Sequence, residues 1–218
     1  MTTSRAVWTQ TQNLLTYLLQ TEIAVFANPV VNDGGRVTWK SLTGGGPFLD
    51  RRDGERVSTY RRWVAQGAYS AILFDASLLQ LTYDFDGSSL VSHRLAWVPC
   101  PFRVDPLALR IDPIDELMEE FETGPVGEVM LRTPVRFDYD ADAPPDHPRT
   151  HLSLNNPGCR IACAAPVPLG MFTDFVFKNF YPAIWEGDRY VRSMPRKALA
   201  DHTVTDLEAA AIHMSWPR

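Results

Sequence analysis

The first apolar positions of the chain fall on one side of a helix. Val7, Leu14, Leu15, Leu18, Leu19, Ile23 and Phe26 follow the spacing that turns one face of an α-helix toward a core. The pattern predicts a long N-terminal helix over residues 5–27, with Ser4 as its N-cap. Asn28-Pro29 stops it, because proline disfavours helical geometry in the residue before it. Asn32-Asp33-Gly34-Gly35 then signals a turn, RVTWK a short strand, and Gly44-Gly45-Gly46-Pro47 a connector. A phosphate loop would need Gly-Lys-Ser/Thr opening a helix, whereas proline and Phe48 follow these glycines.

From Tyr69 the period shifts toward two. YSAILFD, LLQLTYDF and LVSHRLAWV read as strands, and Asp86-Gly87 marks a hairpin between the last two. Pro99, Pro101 and Pro106 end the pairing, since proline cannot donate to a β ladder. Asp112-Pro113 opens a helix whose stripe is Ile114, Leu117, Met118 and Phe121, with Glu119, Glu120 and Glu122 on its solvated side and Gly124-Pro125 closing it. EVMLRTPVRFDY and THLSLN return to strand character around an acidic, proline-rich loop. Leu169, Phe172, Phe175, Val176 and Phe180 predict a helix facing the sheet, and Thr205-x-x-Glu208 is a capping box opening a last helix through Leu207, Ala211 and Met214. The fold class expected is α+β: an antiparallel sheet of about five to seven strands with helices packed on one side. The chain is expected to form a single domain over residues 1–218, with the N-terminal helix and connector in 1–50 and the α+β core in 51–218.

Composition changes this picture little. A chain of 218 residues with 45% hydrophobic and 22% charged residues can build an ordinary globular core. The net charge of -5 argues against general attraction to nucleic acid or an anionic membrane. Three cysteines and no signal-like or membrane-spanning run lead to a cytoplasmic expectation, with reduced thiols and no membrane partner. Residues 50–63 hold Arg51, Arg52, Arg56, Arg61 and Arg62 with Tyr60 and Trp63 interleaved, as a nucleic-acid surface would. Asp50, Asp53 and Glu55 among them favour an ion-paired solvated face instead.

The richest chemistry lies between residues 136 and 163. Alternation on a strand places Arg136 and Asp138 on one side, and His151, Ser153 and Asn155 likewise on the next strand. If the two strands pair with their apolar residues on the core, these polar groups share a face. Arg160 can join them, and His147 overhangs from the loop. An aspartate beside a histidine sets its tautomer and basicity, two histidines can act as acid and base, and arginine can hold a phosphate. A solvated sheet face shows the same alternation with no chemistry attached. His147, His151, Cys159 and Cys163 also offer zinc-type ligands, but the cysteines lack the tight knuckle of structural zinc sites, so no metal or other cofactor is expected.

The set HPRTHLSLN…CRI…FTDFVFKNFYP, with DASLLQLTYDFDG and HRLAWVPCPF upstream, resembles an uncharacterised family of bacterial proteins, a domain of unknown function. Its recurrent positions match His147, Pro148, His151, Arg160, Ile161, Phe175 and Tyr181, while Cys163 stands outside the pattern. The resemblance implies an accessory role in mobile or antiviral-defence islands and carries no established activity. The functions expected are, first, binding of an acidic ligand, nucleic acid or nucleotide, through Arg136, His151 and Arg160, with Asp138 orienting His151. A metal-independent phosphodiesterase or ribonuclease using His147 and His151 is the second. A module that docks a larger protein effector is the third.

Overall fold

A computed structural model describes residues 3–40, 57–123, 129, 130, 132–154 and 158–216. The glycine run 44–46, the arginines 51, 52 and 56, and Asn155 lie outside the described residues.

Helix α1 (Ser4–Gln20) buries Val7, Leu14, Leu15 and Leu18 of the stripe read from the sequence, while Leu19 is exposed. It is capped by Thr3, whose hydroxyl accepts from Ala6 N–H, rather than by Ser4. It is also shorter than its periodicity suggests. Glu22 takes a left-handed φ of 58°, and Ala24–Ala27 form strand β1. Ile23 stays buried with the helix stripe although it lies beyond the helix end, so an apolar pattern ran unbroken through a change of backbone.

Strands β2 (Val30–Asp33) and β3 (Arg36–Trp39) form a hairpin through Gly34 and Gly35. Both glycines have positive φ, and a Cβ on Gly35 would meet the Phe85 carbonyl oxygen, so the turn requires glycine there. Helix α2 (Val57–Ala65) precedes β4 (Ala71–Leu73), β5 (Leu78–Asp86) and β6 (Ser89–Val98), the predicted meander. The short α3 (Ala108–Ile111) and α4 (Ile114–Thr123) follow. Strands β7 (Val135–Asp140), β8 (Thr150–Leu154) and β9 (Arg160–Cys163) continue the sheet. Helices α5 (Leu169–Phe180), α6 (Pro182–Gly187), α7 (Arg189–Ser193) and α8 (Asp206–Ala209) precede β10 (His213–Met214). The capping box at Thr205 and Glu208 is present, but α8 ends at Ala209 and the chain then extends to pair with β9, so the predicted last helix is cut short.

The result is mixed α+β, with a sheet of ten strands among the described residues rather than five to seven. Its main order is β1-β4-β5-β6-β7-β8-β9-β10, and the β2–β3 hairpin joins through β5. Among the described residues, all strand pairs are antiparallel except β9 with β10. The uncounted strands are short pieces of two to four residues, too brief to show an alternation of their own.

Helices cover both faces, not one. On the first face Leu79, Leu81, Tyr83, Leu95, Trp97 and Phe137 pack with α1 and α5. On the second, the alternate residues Ile72, Leu78, Ala96 and Val98 pack with Tyr60, Trp63 and Val64 of α2 and Leu117 and Met118 of α4. Tyr60 and Trp63, which among the arginines suggested a nucleic-acid surface, therefore serve this second core. The second helical layer covers only part of its face. Toward β7, β8 and β9 the same face turns polar, and the candidate site lies there. Among the described residues, no helix is long and apolar enough to cross a membrane.

Candidate functional site

Strand register builds the site. Asp138 lies opposite Arg94 of β6 on one side and His151 of β8 on the other. One row along, Arg136 lies opposite Ser153, which in turn faces Arg160 of β9. Directly paired residues share a face, so Arg94, Arg136, Asp138, His151, Ser153 and Arg160 project together. The apolar alternates Phe137 and Leu152 are buried in the first core, which fixes this register: a slip by one residue would put Asp138 into it.

Asp138 is the hub. Its Oδ2 accepts from Arg136 Nε–H at 2.6 Å and lies 3.5 Å from His151 Nε2, while Arg94 Nε stands 3.5 Å from Oδ1. Asp138 and His151 are buried and Arg136 nearly so, whereas the Arg94 side chain is 55% exposed. A buried carboxylate needs such partners, because its desolvation is otherwise uncompensated.

His151 is the most perturbed group here. Burial pushes its pKa down to about 4, outweighing the Asp138 carboxylate and the Pro148 carbonyl, which both raise it. The ring is therefore neutral at neutral pH and carries one N–H. Nδ1 lies 3.0 Å from the Pro148 carbonyl oxygen, which can only accept, so the proton belongs on Nδ1. Nε2 is then the basic nitrogen, turned toward Asp138. The His147 ring stands 4.6 Å from that of His151, centroid to centroid.

These groups line a cavity of about 390 Å³. Arg136, Asp138, His147, His151 and Arg160 are all on its wall, and Ser153 sits in register beside Arg136. The wall also holds Arg36, Thr82, Asp84, Ser92 and Arg94, which the sequence reading did not assign. They alternate with buried apolar residues on β3, β5 and β6, so their polarity was visible. Only pairing with β7 joins them to the site. Arg36 lies opposite Asp84, with Nε 3.6 Å from its carboxylate, and Ser92 donates to Asp84 at 2.9 Å.

The zinc arrangement does not form. Among the described residues, no three His, Cys, Asp or Glu side chains converge as ligands. The reason lies in the pleat: Ala162 pairs with His151, so the adjacent Cys163 points to the opposite face and is buried in the first core. Burial raises the Cys163 thiol to about 12 and Cys100 to about 11, which leaves both protonated and inert at neutral pH. His93 also faces the first core, where its Nε2 accepts from Val167 N–H at 2.8 Å and burial lowers its pKa to about 3.

A second polar cluster lies at the β4–β5 turn. Tyr181 O–H donates to Asp75 at 3.1 Å and accepts from Trp97 Nε1–H at 3.0 Å, tying α5's C-terminus to the sheet. The next residue, Ala76, has a left-handed φ of 63°, and its carbonyl accepts from the Tyr60 hydroxyl of α2. The turn thus links both helical layers.

A family model described as an uncharacterized conserved protein (DUF2290) matches residues 22–216. No curated protein and no solved structure matches the chain.

Proposed function

The chain belongs to the DUF2290 family of uncharacterized conserved proteins, and we propose that its polar sheet face binds an acidic, phosphate-bearing ligand. The observation that carries this reading is the position of Arg94, Arg136 and Arg160, on three strands, around one cavity. Arginine's planar fork matches phosphate oxygens, and Asp138 holds Arg136 in place by its Nε–H. His151, neutral and fixed by Pro148, adds a nitrogen that gains a proton more readily once an anion arrives beside it. Within a defence-type system, which the family resemblance implies, such a chain would act by capturing nucleic acid or nucleotide.

Retention of oligonucleotides on the purified protein tests this. Binding should weaken steeply as salt rises and should be lost in Arg160→Ala. Retention that ignores salt would contradict the reading.

The closeness of His147 and His151 favours a second reading, a metal-independent phosphodiesterase or ribonuclease. His151 Nε2 would serve as base, with Asp138 stabilising the imidazolium that forms. His147→Ala and His151→Ala should then each abolish cleavage of RNA or cyclic nucleotides with the melting midpoint unchanged. No cleavage by the parent protein on mixed substrates rules the enzyme out.

A further inference from the structure

We infer that the ligand of this face is a single-stranded nucleic acid whose linked phosphates run across the strands from β9 to β3, bound through its backbone. The inference rests on the acidic-ligand reading above and specifies its ligand.

Four arginines share the cavity wall, and they are spread rather than clustered. Arg160 is on β9, Arg136 on β7, Arg94 on β6 and Arg36 on β3, in the strand order β3-β5-β6-β7-β8-β9. Five strand spacings of about 4.8 Å separate Arg36 from Arg160, or about 24 Å across the sheet. One phosphate group cannot bridge that distance, and a mononucleotide would engage one end only. A chain of phosphates meets the arginines in turn.

Two of the three aspartates on the wall fit the same scheme, while Asp140 accepts from Asp142 N–H. Asp84 faces Arg36, and Asp138 faces both Arg94 and Arg136, each time through the arginine Nε. The carboxylate thus holds the inner edge of the guanidinium, and arginine has further donors on its outer nitrogens. Arg36 and Arg94 have side chains 61% and 55% exposed, so their charged ends are within reach of a ligand. Ser92 and Thr82 stand between them, with the Ser92 hydroxyl donating to Asp84 and the Thr82 hydroxyl bonded to that of Thr38.

Cavity size and lining choose among nucleic acids. A recess of about 390 Å³ is in the range of small-ligand clefts, and an unpaired strand, thinner than a duplex, is the form of phosphate chain suited to enter it. The Tyr139 ring packs in the first core against His93, and the side chains on this face are mainly arginine, aspartate, hydroxyl and histidine. That lining reads phosphates more than bases, so binding should be tolerant of sequence.

Calorimetric titration with adenosine monophosphate and with oligoadenylates of two, four and eight nucleotides tests the idea. Affinity should rise about tenfold or more between the monophosphate and the tetranucleotide. The logarithmic salt slope should steepen by about 0.7 for each phosphate engaged. Arg36→Ala should remove most of the gain for the octanucleotide, and a duplex of equal length should bind no better than the monophosphate. Equal affinity for monophosphate and octanucleotide overturns the extended strand but keeps the acidic-ligand reading. Failure of every probe to bind folded protein, judged by its melting midpoint, overturns both. Stronger binding of the duplex overturns the single-strand assignment.

Discussion

Asp138 shows how one buried charge can organise a surface. Its carboxylate accepts from Arg136 and stands between Arg94 and the neutral His151, so removing it leaves Arg136 and Arg94 without their counter-charge in a half-enclosed site. Breaking a buried pair costs more than the pair itself is worth, because the orphaned charge keeps its desolvation penalty. Asp138→Ala is expected to lower stability by about 3 kcal/mol, read as a fall in the urea midpoint with an unchanged slope. A loss below about 1 kcal/mol would mean that the pair behaves as an ordinary surface salt bridge. The alternation of Arg136 and Asp138 with Val135 and Phe137 was legible in the sequence. What the alternation could not show was that Asp138 would lose its solvent, since that depends on Arg94 and on the His147–Pro148 loop arriving from elsewhere.

At the scale of elements, α1 illustrates where periodicity helps and where it misleads. Its buried stripe follows the sequence pattern, and Leu18 is fully enclosed between the helix and the sheet. Leu18→Ala should cost about 3 kcal/mol, from lost transfer energy plus the cavity left behind, measurable by chemical denaturation. The helix end was misplaced because Ile23 and Phe26 continue the helical spacing by chance while belonging to a turn and to β1. Ile23 is buried and Phe26 is exposed, and over four residues a period of two cannot be told from one of 3.6. The same ambiguity hid β2 and β10 and lengthened the predicted last helix. The longer strands β5, β6, β7 and β8 were recognisable, since several turns of alternation accumulated in each.

For the whole molecule, the two helical layers and the buried histidines set the response to acid. His93 and His151 are held near 3 and 4, against an ordinary value of 6.5. The unfolded chain takes up protons at these histidines as pH falls through about 6.5, while the folded chain refuses them until pH nears 3 to 4. Their contribution to stability is thus fully present above about pH 6.5 and is lost progressively toward pH 4. His93 alone should account for about 2 kcal/mol of loss by about pH 5. Urea midpoints near pH 7 and pH 5 should show it, and His93→Gln, which keeps an acceptor for Val167 N–H, should flatten the dependence. An equal slope in the variant would show that His93 is not the group responsible.

The sequence by itself determined which residues are apolar at which period, and with that the identity of the main helices, the central strands and the polar set Arg136, Asp138, His151 and Arg160. Those are local properties, fixed by the geometry of a few residues at a time. The tertiary structure decided which strands neighbour one another, that helices cover both faces, and where the second layer stops. It thereby brought Arg36, Thr82, Asp84, Ser92 and Arg94 to the same cavity and turned Cys163 away from it. Pairing across dozens of residues depends on long-range register and on the packing of both cores together, and a local hydrophobic pattern carries no record of either.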